Sequence, residues 1–517
     1  MGDKRHLLTL CRLGNHLYHP EWKVIDGGYY NVYGKEDATA RSGNRKVLNT
    51  RYTPMADEKG TRKERDTLGE RYLPEDVLYG IQTLRASENF PVSNLPNHPY
   101  LIDTYASVKE AAALANMEVG WLDPEIGKLI VDASKEVRQG GFRDQFIVDR
   151  FQAGAGTSTN MNINEVIANR ALELKGEKKG SYDIISPNDH VNMAQSTNDT
   201  FPTAMQISVH RMTGELIGEV RSLAISFNRK GEEFKNVIKT GRTHLQDAMP
   251  VTLGGEFRAY GSALDRAAGE IERRNRMLLD LPLGGTATGT GINTHPEYRK
   301  KVISHLSRIW DLDLTANPSP FEAMQSTIRI VSVSSAYKEL AVELGRISND
   351  LRLLSSGPNS GFSEITLPAV QPGSSIMPGK INPVLPECLN MICFVVMGND
   401  VAITTAAGAG QLELNVMMPI MGNLILRSAE YFVNFLPIFG EKCIDGISVD
   451  AESLNKRAMA NPILATLLNR KLGYLKAAEV AKEAMESKRS VVDIVLENDY
   501  LTREEADEMF NRASLVG

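Results

Sequence analysis

Three stretches in the middle of the chain place apolar residues at steps of three and four. Met205, Val209, Met212, Leu216, Val220, Leu223 and Phe227 form the first, and Phe257, Tyr260, Leu264, Ala268 and Ile271 the second. Ile330, Val333, Tyr337, Leu340, Leu344, Ile347, Leu351 and Leu354 form the third. This is the period of an α-helix with one apolar stripe, and it predicts helices of about 20–35 residues, roughly 30–50 Å long. Thr200 is the expected cap of the first, with Pro202 in its first turn. Rods of that length exceed the usual run of about 10–14 residues, so the expected architecture is all-α, a bundle of nearly parallel long helices. The stripes read as core packing. Because one chain can hardly cover every face of such a bundle, oligomerisation is expected.

Residues 1–54 differ from the rest, being rich in Gly, Tyr, Asn and Arg and weakly periodic. They read as a leader, disordered or not native, with Met55 as the natural start; an accessory segment is the alternative. The 517 residues carry a net charge of −6, which favours neither nucleic acid nor an anionic membrane as partner. The most apolar run, Ile392 to Met397, ends at Gly398-Asn399-Asp400, well short of the ~18 residues that a membrane helix needs. Leu7 to Leu10 is too brief for a signal peptide. Cys11, Cys388, Cys393 and Cys443 form neither a CxxC pair nor a metal spacing. A reduced, cytoplasmic protein is expected.

The chemistry concentrates in residues 373–387, Gly-Ser-Ser-Ile-Met-Pro-Gly-Lys-Ile-Asn-Pro-Val-Leu-Pro-Glu. Gly373 and Gly379 give backbone freedom, and Pro378, Pro383 and Pro386 are expected to break any helix. Between them stand Ser374, Ser375, Lys380, Asn382 and, at the end, Glu387. A glycine-hinged loop with such groups suits an active-site lid. Hydroxyl and amide donors that could orient a carboxylate without titrating occur in three further places. These are Thr157, the run Ser196-Thr197-Asn198, and Thr243 beside His244. The run Gly284 to Gly291 looks like a phosphate loop, but no βαβ pattern surrounds it. Nothing in the chain requires a metal or an organic cofactor.

These blocks resemble the fumarase/aspartase superfamily, whose loop reads GSSxMPxKxNxxxxE. Gly156-Thr157-Ser158-Thr159-Asn160-Met161-Asn162, Ser186-Pro187-Asn188-Asp189-His190-Val191-Asn192 and Gly241-Arg242-Thr243-His244-Leu245-Gln246-Asp247 agree with it in order. The resemblance spans roughly residues 64–515. It implies a central long-helix bundle over residues 196–450, flanked by smaller, mostly helical domains over 55–195 and 451–517. It also implies a homotetramer whose sites draw on three subunits, with no cofactor. By residue-for-residue match, Ser374 is the expected base, and His244 binds substrate and pairs with Glu387. Thr157, Ser196, Thr197, Asn198, Thr243, Ser375, Lys380 and Asn382 are the expected substrate contacts. His190 reads as structural.

The reaction the resemblance implies is elimination of a group β to a carboxylate, giving fumarate. Ammonia from L-aspartate is favoured over water from L-malate. Fumarases usually read SGTQSNMN and QSSND where this chain has Ala155-Gly156-Thr157-Ser158-Thr159-Asn160 and Gln195-Ser196-Thr197-Asn198-Asp199. Ser186 stands where fumarases place the histidine of an accessory anion site. Asn469-Arg470-Lys471-Leu472-Gly473-Tyr474 departs from the usual Asn-Pro-His before Gly-Tyr. A fumarase and an inactive structural relative are the two alternatives, and the presence of Ser374, Lys380, Asn382, His244 and Glu387 weighs against the second.

Overall fold

The computed structural model describes residues 22–25, 28–31, 60–511 and 514–515. The chain divides into two compact units, Met1–Thr53 and Pro54–Gly517. In the first, β1 (Trp22–Ile25) pairs antiparallel with β2 (Gly28–Asn31). The rest of the expected leader, and Met55, lie outside the described residues.

The second unit opens with a hairpin of β3 (Thr61–Asp66) and β4 (Gly69–Pro74). Four helices follow: α1 (Ile81–Asn89), α2 (Pro99–Glu118), α3 (Pro124–Arg138) and α4 (Thr157–Lys175). Next come α5 (Thr197–Glu233), a hairpin of β5 (Ile238–Thr243) and β6 (Gln246–Thr252), and α6 (Leu253–Asn275). A short parallel pair, β7 (Asp280–Leu281) with β8 (Thr315–Ala316), brackets α7 (Tyr298–Trp310). After α8 (Pro320–Gln325) come the long α9 (Ile328–Leu354), α10 (Val384–Gly408) and α11 (Met418–Phe439). The chain closes with α12 (Ala451–Met459), α13 (Asn469–Leu472), α14 (Tyr474–Ser487), α15 (Val491–Glu497) and α16 (Arg503–Met509). The Arg470-Lys471 departure thus forms the single turn of α13.

The expected helical class holds, with short two-stranded sheets added. α5, α6, α9, α10 and α11 build the central bundle, and their directions follow from named contacts. The start of α6 meets the end of α5 through Gly254 N–H on Phe234 O at 3.0 Å. The end of α6 reaches only partway back along the longer α5, where Asn275 donates to His210 O at 3.1 Å. α9 runs back along α6, from Arg274 on Ser332 O at 3.2 Å to Tyr260 on Asp350 at 3.2 Å. α10 returns along α9, where Ser334 donates to Asp400 at 2.7 Å. α11 again follows α5, with Gly422 against Met205 and Gly440 against Leu223.

Four details differ from the sequence reading. The cap of α5 is Ser196, not Thr200, in a capping box with Asp199, and Pro202 lies in the second turn. The reciprocal Ser196–Asp199 bonds satisfy two backbone donors at once, which Thr200 could not do. Pro386 does not break α10 but sits in its first turn, where no N–H is needed. Gly398-Asn399-Asp400 does not end the apolar segment either. α10 runs on to Gly408 and by length and composition alone is apolar enough to cross a bilayer.

The fourth difference concerns the stripes. Those of α5, α6 and α9 are buried within this one chain, so they demand no second one. Among the described residues, α10 leaves an apolar face uncovered. Met391 is 60% exposed, Phe394 63% and Val401 65%. The opposite side of α10 is tied to α9, since Asp400 also accepts from Lys338 at 2.6 Å.

Candidate active site

Thr157 is the first residue of α4, and the turn before it is dictated by packing. Gly156 has φ 90°, and a Cβ there would lie 2.1 Å from the Phe201 ring. Only glycine lets the start of α4 sit on the start of α5. Asn160 of α4 then donates to Thr197 Oγ1 at 3.0 Å. Thr157 and the Ser196-Thr197-Asn198 run are thereby brought to one end of the bundle.

That end is braced by Asp199. Its fully buried carboxylate accepts the N–H groups of Gly284 and Thr286, both at 2.9 Å, besides that of Ser196 at 3.0 Å. Burial pushes Asp199 up to about 6 against these three donors, which hold the charged form. The glycine-rich run Gly284–Gly291 is thus a connector that seats the start of α5. Asn198 donates to Ala287 O in the same run at 2.8 Å. Ser186 caps its own turn, bonding Asp189 at 2.8 Å, and His190 Nδ1 accepts the Ser186 N–H at 2.8 Å.

Thr243 and His244 sit at the tip of the β5–β6 hairpin, which the sequence reading did not assign. His244 and Leu245 both have positive φ, 56° and 59°. This two-residue turn matches the twist of a hairpin but is strained for residues with a Cβ. The base of the hairpin is anchored by buried charge. Lys239 pairs with Glu256 and with Glu364, both at 2.8 Å, and Arg242 pairs with Glu364 at 2.6 Å. The His244 imidazole makes no hydrogen bond among the described residues. It does not meet Glu387 within the chain.

The loop with Ser374 closes on itself. Gly373 N–H donates to Lys380 O at 3.0 Å, and Asn382 Nδ2 donates to Gly373 O at 2.6 Å. A Cβ on Gly373 would fall 2.1 Å from Lys380 O, so the closure requires glycine. Inside the loop, Ser374 Oγ accepts the N–H groups of Ile376 at 3.2 Å and Met377 at 3.0 Å. Two backbone donors on one hydroxyl oxygen favour its anionic form. Ser375 and Lys380 are exposed, and the Lys380 ammonium makes no ion pair among the described residues. Lys380, Asn382 and Glu387 line a cavity of about 1000 Å³ together with Arg352 at the end of α9.

The loop and the hairpin therefore lie at one end of the bundle, and Thr157 with Ser196-Thr197-Asn198 at the other. Between them runs α5, whose 37 residues span about 55 Å at 1.5 Å per residue. No small molecule bridges that distance.

Sequence reasoning missed a buried lysine behind Thr157 and the Ser196-Thr197-Asn198 run. Lys109 of α2 donates to Asn160 Oδ1 at 2.7 Å, Gln195 Oε1 at 2.9 Å and Asn192 Oδ1 at 3.0 Å. A lone cation among Tyr105, Val108, Ala111 and Ala112 was the available signal. Among the described residues, no group of three or more His, Cys, Asp or Glu side chains could hold a metal ion.

Comparison with known proteins agrees along nearly the whole chain. Residues 69–398 match the lyase family model, and residues 464–517 match that of the fumarase C C-terminus. Aspartate ammonia-lyase of Bacillus subtilis strain 168 is 48% identical over 454 residues, covering 88% of this chain and 96% of the relative. That of Helicobacter pylori strain 26695 is 44% identical over 457 residues, covering 88% and 98%. Among solved structures, a Brucella melitensis fumarate lyase:delta crystallin bound to cobalt is 45% identical. It superposes with a TM-score of 0.85, over 87% of this chain and 98% of that one. A class II fumarase from Schistosoma mansoni is 35% identical, with a TM-score of 0.84 over the same shares. With the loop, the hairpin tip and the capped start of α5 all in place, the chain belongs to the fumarase/aspartase family of lyases.

Proposed function

We propose that the protein is an aspartate ammonia-lyase, a carbon–nitrogen lyase that converts L-aspartate reversibly to fumarate and ammonium. The observation that carries the chemistry is the Ser374 hydroxyl, seated on two backbone N–H groups in a closed loop. A serine alkoxide there takes the proton from the carbon beside the substrate's distal carboxylate. The released electron pair moves into that carboxylate as an enediolate, then forms the C=C bond as the C–N bond breaks. Thr157, Ser196, Thr197, Asn198, Thr243, Ser375, Lys380 and Asn382 hold the two carboxylates, and donors aimed at the enediolate lower the barrier. His244 binds substrate and pairs with Glu387 across the oligomer.

A homotetramer brings the two ends together. The exposed Met391, Phe394 and Val401 on α10 support an association that covers this face, and covering it accounts for so apolar a helix without a bilayer. Cys388, Cys393 and Cys443 are free thiols, and burial pushes the latter two up to about 12. Inert, unpaired thiols support a cytoplasmic setting.

Fumarate appearance, followed by ultraviolet absorbance, tests the assignment. L-aspartate is expected to turn over without added cofactor and faster than L-malate. Faster turnover of L-malate would make the protein a fumarase. Lys380→Ala is expected to lower kcat/KM about 10- to 100-fold, the value of one charge-assisted contact of roughly 1.5–3 kcal/mol. Unchanged KM and kcat would place Lys380 outside the site.

A further inference from the structure

We infer that Lys109 is a positioning residue, whose ammonium orients the Asn160 amide so that the Thr197 hydroxyl is left to donate its proton to a substrate carboxylate. The inference rests on the reading of Thr197 as a substrate contact.

The argument is one of hydrogen-bond polarity. An ammonium has three N–H groups and no acceptor, and Lys109 points all three at side-chain amide oxygens, those of Asn160, Asn192 and Gln195. With its oxygen pinned on the cation, the Asn160 amide must present its NH₂ end elsewhere. That end faces Thr197 Oγ1 at 3.0 Å and Asn192 Oδ1 at 3.3 Å. A threonine hydroxyl that receives a hydrogen bond still has one proton to give. Among the described residues, that of Thr197 meets no acceptor. A carboxylate only accepts, so a free O–H is what a carboxylate-binding threonine must offer. Without the cation the Asn160 amide could turn over, and its oxygen would take the Thr197 proton instead.

Energetics make a space-filling role a poor explanation of Lys109. The side chain is fully buried, and an apolar residue would fill the same volume without the cost of desolvating a charge. Burial pushes Lys109 down to about 7, opposed by the nearby Asp199 carboxylate. The Tyr105 ring lies 5.3 Å from the ammonium and adds to its support.

Asn160→Asp tests this with little change of shape. Lys109 keeps its acceptor, but the NH₂ end becomes a second acceptor that captures the Thr197 proton. In the full-length protein, kcat/KM for L-aspartate is expected to fall about 10- to 100-fold, mainly through KM, as for loss of one hydrogen bond to a charged group. In a Thr197→Val background the same substitution should cost less than about threefold more, because its target is gone. Lys109→Met should follow Asn160→Asp in both backgrounds. If that variant does not fold, the Asn160→Asp cycle decides alone. A wild-type KM in Asn160→Asp, or equal losses in both backgrounds, would overturn the positioning role while leaving Thr197 as a contact. An unchanged KM in Thr197→Val alone would overturn the contact itself, and the positioning role with it.

Discussion

Replacing Ser374 by alanine is expected to lower kcat for L-aspartate by about 10³-fold or more, with KM within a few-fold of the parent and the oligomer intact. The size of the effect follows from how the loop treats this oxygen. A serine hydroxyl is too weakly acidic to serve as a base in water. Here its oxygen accepts Ile376 and Met377 N–H groups, and those two dipoles are positioned before the substrate arrives. Alanine removes the atom they stabilise. The loop closure itself runs through Gly373, Lys380 and Asn382 and does not involve the Ser374 side chain. Carboxylate binding should therefore persist while proton removal fails. Steady-state kinetics with light scattering would check both halves. A near-normal kcat would assign the proton to another group.

Two inactive chains are expected to restore each other. One carries Ser374→Ala, and the other Thr197→Val with Asn198→Ala. The loop with Ser374 and the start of α5 lie about 55 Å apart along one chain, so the proposed site, which uses both, would take them from different chains. In randomly mixed oligomers about a quarter of such sites would draw an intact α5 end from the first variant and an intact lid from the second, because the two contributions are drawn independently. Activity after subunit exchange should rise from the background of either parent toward that fraction. His244→Ala mixed with Ser374→Ala should behave likewise if the hairpin and the lid also come from different chains. Exchange demonstrated by mass labelling with no recovered activity would defeat the shared site, as would a fully active monomer.

Much of the candidate site was legible residue by residue, because its chemistry sits in contiguous runs. Ser374, Lys380 and Asn382 share one loop, and hydroxyls and amides cluster at Ser196-Thr197-Asn198. Their functional reading, however, came from a family pattern. Spacing alone would read the second run as a helix cap, and Ser196 is indeed the cap of α5. Lys109 escaped notice because its partners lie 51, 83 and 86 residues away in sequence. No local pattern can announce a contact of that range. The hairpin tip at His244-Leu245 escaped for a different reason. Its positive φ values normally call for glycine or asparagine, and neither is there.

The sequence by itself determined the helical rods and the faces they bury, since a stripe at steps of three and four has one helical solution and one inward side. It also marked the loop of residues 373–387, with its glycines as hinges, whereas the need for Gly373 in the closure on Lys380 O came from the structure. Only the tertiary structure decided which apolar faces remain open. The stripes of α5, α6 and α9 find partners inside the chain, whereas Met391, Phe394 and Val401 on α10 do not. Only the tertiary structure, too, put the candidate site residues at opposite ends of the bundle. Periodicity fixes what each helix buries but not which helix it meets or in which direction, and those follow from packing between residues far apart along the chain.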